Sequence, residues 1–180
     1  MATDRRGMVA AVAVIAGAAL VGLGLLVVGF AGMARHPVAT PRAAPPIASS
    51  TTTTSSSALT VAMREWESRA GDHFKESARA LDQVSQAAGR GDDAAVRAGC
   101  TRLHDANAVG LQADLPTPDP VLTAELQRMI DDVNTAAHAC LRFSDTGHHA
   151  DASTYQIYLE RAIDHLSTAK QILNEDLGQR

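Results

Sequence analysis

The sequence predicts an all-α protein, and three observations carry that prediction. After Ala58, apolar residues recur at three- and four-residue spacing. Aromatics make up only 3% of the chain, so the core must be Ala, Leu, Val and Ile, a set that suits closely packed helices better than strands. No alternating stretch and no Asn-Gly or Asp-Gly hairpin signal interrupts the helical spacing. The layout has three parts: an N-terminal transmembrane helix, a disordered Pro/Ser/Thr-rich linker, and an up-down-up-down four-helix bundle with one disulfide.

The membrane segment is the first element. Residues 1–6 form a short N-terminus ending in Arg5-Arg6, and Gly7 to Ala34 is an unbroken apolar run without charge, Ser, Thr, Asn or Gln. A bilayer span needs ~20 apolar residues, so residues 7–34 suffice for a signal-anchor helix with some tilt. A core helix would show a polar face, and none is present. The rival is a cleaved signal peptide, whose apolar region is shorter (~7–15 residues), with Gly32-Met33-Ala34 as the late cleavage site. Arg5 and Arg6 before the span balance Arg35 and Arg42 after it. The amino-terminal charge and the cysteine-containing domain behind the span favour the N-terminus inside and the C-terminal domain extracytoplasmic.

Residues 35–58 are the linker. His36 to Ser57 holds four Pro and an unbroken Ser/Thr tract, too little apolar surface to fold, which predicts an extended tether.

Residues 59–180 are the bundle. Helix one presents Met63, Trp66, Ala70, Phe74, Leu81 and Val84 on one face and stops at Gly89-Arg90-Gly91, where glycine admits the left-handed conformation of a helix end. Asp92 is an N-cap for helix two, which carries Val96, Cys100, Leu103 and Asn107 and runs out near Asp114. Pro116 and Pro118 break the chain, and Asp119 caps helix three with Pro120 in its first position. Helix three carries Leu122, Leu126, Met129, Ile130, Val133, Ala137 and Cys140 and ends by Gly147. Helix four starts at Asp151 or Ser153 and carries Tyr155, Tyr158, Leu159, Ala162, Ile163, Leu166 and Leu173. Short connections make sequential helices antiparallel neighbours.

The two cysteines fall where such a hairpin brings them together. Positions 100 and 140 are symmetric about residue 120 at the turn, and both lie on the apolar stripe, which predicts a Cys100–Cys140 disulfide in an oxidising compartment. Two buried free thiols are the plain alternative. A zinc site with His104 and His138 is a further one, but His138 sits roughly 200° around its helix from Cys140.

Charge narrows the function. Residues 1–58 hold four Arg and one Asp, net +3; residues 59–180 hold twelve basic and nineteen acidic residues, net −7. An acidic domain excludes nucleic acid as a partner, since nucleic acid selects basic surfaces. No nucleophile elbow, phosphate loop, dinucleotide fingerprint or zinc-protease motif occurs, and no Glu-x-x-His of a di-iron bundle. No catalytic residue, no metal ligand and no cofactor is therefore expected. A ligand pocket, if one exists, is expected among Trp66, Phe74, Tyr155 and Tyr158. His73 and His165 fall at matching heights on helices one and four and are candidates for a pH-sensitive contact. His148-His149 reads as a solvated loop, and Asp131-Asp132 as a solvated face.

The Arg-led apolar anchor, the Pro/Ser/Thr tether and the helical domain with Trp66, Cys100, Leu115-Pro116-x-Pro118-Asp119 and Cys140 resemble the small exported proteins of uncharacterised role found in high-GC Gram-positive bacteria. The resemblance implies a cell-envelope location and brings no activity. The sequence thus points to a non-catalytic, membrane-tethered interaction module with an envelope protein partner. The alternative is a bundle that binds a small molecule, a metal or haem.

Overall fold

A computed structural model describes residues 51–178. Among them there are four helices and no strand: α1 (Thr51–Arg90), α2 (Asp93–Asp105), α3 (Pro120–Thr146) and α4 (His149–Asp176), with a π-helical turn, Ala106–Leu111, continuing α2. The expected N-terminus, span and the linker up to residue 50 lie outside the described residues. No helix among the described residues is long and apolar enough to cross a membrane.

Local chemistry sets most boundaries. Gly91 adopts φ 68° and ends α1, while Asp92 accepts a hydrogen bond from the Ala95 N–H and starts α2. Asp119 accepts from the Val121 and Leu122 N–H groups, with Pro120 at the first helical position. Gly147 closes α3 at φ 69°, its N–H donating to the Phe143 carbonyl.

Two starts differ from expectation. α1 begins at Thr51, so the end of the Ser/Thr tract is helical and not part of the tether. Ser and Thr are only mildly unfavourable in a helix, and extending an existing helix avoids the cost of nucleation. α4 begins at His149, ahead of Asp151 and Ser153. Gly147 completes its turn so tightly that only Gly147 and His148 separate the two helices.

Side-chain register shows the helix directions. Along α1 and α2, Val84 meets Gly99, His73 meets Gly110, and Trp66 meets Asp114. Along α2 and α3, Arg97 pairs with Asp145, Cys100 with Cys140, and Gln112 with Gln127. Along α3 and α4, Arg142 pairs with Asp151 and Arg161 with Asp132. In each series one number falls as the other rises, so neighbours are antiparallel. The Thr60 hydroxyl donates to the Asp176 carbonyl and ties α1 to the end of α4.

Alanine shapes the core. Ala70, Ala87, Ala136, Ala137 and Ala139 are fully buried among Met63, Val84, Leu103, Leu122, Ile130 and Leu159. Small side chains at these contacts let the helix axes approach, and the larger residues fill the remaining volume.

Candidate functional site

The disulfide forms where the hairpin symmetry puts it. Cys100 and Cys140 are bonded with their Cα atoms 5.9 Å apart, and both are buried. With both sulfurs in this bond, neither is a thiolate ligand, so the structure does not contain the two-Cys, two-His zinc arrangement.

The two histidines of that arrangement do meet. His104 lies one turn beyond Cys100, His138 two residues before Cys140, and their rings are 4.9 Å apart between centroids at 59°. His104 Nδ1 is 3.2 Å from Asp105 Oδ1. The His104 side chain is 31% exposed and His138 is exposed. The angular argument against His138 sharing a site with Cys140 holds, yet it does not separate His138 from His104, because both rings project outward from the same interhelical seam.

A second feature lies at the centre of the bundle, where all four helices contribute. A cavity of about 30 Å³ is lined by Phe74, Leu81, Leu103, Asn107, Met129 and Leu166, among others. A water needs ~10–15 Å³ of such space, so the room is that of two or three waters and not of a tetrapyrrole. Asn107 is 1% exposed; its Nδ2 donates to Ser77 Oγ and to the Leu103 carbonyl, while its Oδ1 is buried without a partner among the described residues. Asn107 belongs to the π-helical turn, a distortion often found at functional positions.

Comparison with protein-family models, with curated proteins and with solved structures found no match.

The four residues expected to line one pocket do not come together. Phe74 lines the central cavity. Trp66 is buried at the end of the bundle that holds Asp114 and the last turns of α4, its Nε1 donating to the Asp114 carbonyl at 2.8 Å. Tyr155 is buried near the start of α4, where burial pushes its hydroxyl pKa up and leaves the group without a partner among the described residues. Tyr158 carries the Arg161 guanidinium 4.9 Å above its ring. Trp66 stands level with the last turns of α4, about fifteen residues and hence about 20 Å from Tyr155.

His73 and His165 also part company. His73 Nδ1 lies 2.7 Å from Asp114 Oδ2 in the turn that follows the π-helical continuation of α2, and His165 Nδ1 lies 2.8 Å from Glu125 Oε2 on α3. The heights were right, but each ring turns to a different neighbour. That hydrogen bond, with help from Arg128, holds the Glu125 carboxyl below its ordinary value. Asp132 is not on a solvated face: it is 5% exposed and faces Arg161 and His165 of α4. A carboxylate so buried is tolerated because two basic side chains meet it. The α3/α4 register was the signal that could have found this cluster.

Proposed function

We propose that this chain is a membrane-tethered, extracytoplasmic helical module that acts by binding a protein partner in the cell envelope and performs no catalysis. The observation that supports it most is the buried Cys100–Cys140 disulfide. Structural disulfides persist in oxidising compartments and are rare in the cytosol of most organisms. A domain fastened this way agrees with export behind the apolar run Gly7–Ala34, which then serves as the anchor with the N-terminus inside.

What the module offers is its surface. Apart from the small central cavity the interior is packed with its own side chains, while Val61, Val109, Val121 and Ile157 stand exposed. The decisive test is made on intact cells. Protease added outside should digest the bundle, native protein should yield no free thiol at positions 100 and 140, and photo-crosslinkers at Val109 or Val121 should give a discrete adduct. A bundle protected until lysis, free thiols, or crosslinking without a discrete product overturns the reading.

A second reading rests on Asn107. Its unpartnered Oδ1 beside the central cavity suits a very small apolar molecule with one hydrogen-bond donor. Short-chain alcohols that raise the melting temperature of the chain, and fail to do so after N107L, would favour this reading.

A further inference from the structure

We propose that the outer seam between α2 and α3 binds a divalent transition-metal ion, Cu²⁺ or Zn²⁺, through His104 and His138. This goes beyond partner binding and rests on different residues.

The first argument is the ring separation. An imidazole nitrogen binds these ions at ~2.0–2.1 Å, and with about 1.2 Å more from nitrogen to ring centre the ion sits about 3.2 Å from each centroid. Two such ligands at ~90–110° then place their centroids about 4.5–5.2 Å apart. The observed separation of 4.9 Å lies inside that window. The spacing of the two rings is therefore that of a pair of imidazole ligands on one ion, and binding has only to turn a nitrogen of each ring toward it.

The second argument is orientation. With His104 Nδ1 donating to the Asp105 carboxylate at 3.2 Å, Nε2 is left with the lone pair that a metal takes. A carboxylate behind a ligating histidine is the usual supporting arrangement: it fixes the tautomer and raises the basicity of the other nitrogen.

The third argument is rigidity. The disulfide sits one turn from His104 and two residues from His138 and fixes the α2/α3 spacing with 5.9 Å between Cα atoms. A chelate whose two arms are held covalently in place loses little freedom on binding. Exposure of both rings leaves the ion's remaining positions to water or to a donor from another molecule.

The site is a two-ligand clamp. Among the described residues no group of three or more His, Cys, Asp or Glu is arranged to hold a metal. Its affinity therefore belongs in the micromolar range, with Cu²⁺ ahead of Zn²⁺ as the general order for nitrogen ligands requires.

The experiment is a titration of the full chain, purified in detergent, with Cu²⁺ alone and Zn²⁺ alone, read by calorimetry and by melting temperature. One equivalent should bind and raise the melting temperature. H104N or H138N should each weaken binding at least tenfold and remove the rise, and D105N should weaken it less. H148N/H149N should leave it intact. Both rings lie at the surface, so the variants should keep the helical circular dichroism and metal-free melting temperature of the parent. No micromolar binding, binding that survives H104N/H138N, or loss only in H148N/H149N overturns the proposal.

Discussion

Gly99 on α2 lies so close to Val84 on α1 that a Cβ at position 99 would stand 2.7 Å from Val84 Cγ2 and 3.2 Å from the Val84 backbone nitrogen. The contact is backbone to side chain across the α1/α2 seam, and neither a buried valine nor a helix backbone yields easily. G99A should therefore destabilise the bundle. Overpacking costs ~1–3 kcal/mol, against about 1 kcal/mol gained by replacing a helical glycine with alanine, and a clash with both side chain and backbone belongs at the upper end, so the net loss is up to about 2 kcal/mol. Gly71 is the control: a Cβ there meets nothing within 4 Å, and G71A should stabilise by about 0.5–1 kcal/mol. Urea unfolding of both variants checks the pair of opposite signs.

Removing the disulfide should loosen the whole hairpin. Its two ends are 40 residues apart in sequence, and closing a loop of that length stabilises by about 4 kcal/mol in the chain-entropy picture. C100A/C140A should lose most of that, seen as a lower midpoint in denaturant. Reductant should shift the parent protein in the same direction and leave the variant unchanged.

Asn107 separates two effects that one substitution would confuse. N107A removes the bonds to Ser77 and Leu103 and enlarges the cavity, which should cost ~2–4 kcal/mol. N107L removes the same polar groups, the unpartnered Oδ1 included, but fills the space that N107A leaves empty, so it should cost clearly less than N107A. Ser77 Oγ still donates to the His73 carbonyl in either variant. Equal losses in the two variants would refute this account.

Two carboxylates should respond to pH in opposite senses. Burial raises Asp176 above its ordinary value of 3.8, and Asp119 and Glu175 add to the effect. The folded state then holds that proton more tightly than the unfolded chain does, so the ionised group lowers stability above the raised value. D176N should stabilise at pH 7, and the gain should fade on acidification. Glu125 is held below 4.5, first by the hydrogen bond from His165. Its contribution is present above 4.5 and lost as pH falls through the lowered value. E125Q should destabilise at pH 7 and converge with the parent in acid. Denaturant midpoints between pH 3 and pH 7 test both.

Where side chains satisfy their own backbone, the sequence spoke plainly. Gly91, Asp92, Asp119-Pro120 and Gly147 act within one turn of themselves, and the boundaries they mark agree with the structure. The cysteine pairing was legible too, because symmetry about a turn is arithmetic. What lay beyond was rotation about the helix axis. His73 and His165 have the expected heights but face Asp114 and Glu125, and Asp132 turns inward to Arg161 although its neighbour Asp131 is exposed. Spacing gives height and stripe, but the angle between one helix and the next is set by packing. His104 and His138 enter the sequence reading only as part of a zinc site with the cysteines, and the angle between His138 and Cys140 argues against that set without showing that the two rings meet each other.

The π-helical turn has no sequence signature, yet much of α2 depends on it. The Gln112 N–H donates to the Asn107 carbonyl, five residues back instead of four. Such a turn accommodates one surplus residue. Its upstream half is phased to Cys140, and its downstream half is phased to Trp66 and His73 through Asp114. An uninterrupted α-helix advances about 100° per residue, so shortening this stretch by one position would swing every later side chain by that angle and carry Asp114 away from the indole. The wide turn is thus a gear change: it lets one rod mesh with two partners whose teeth are out of step.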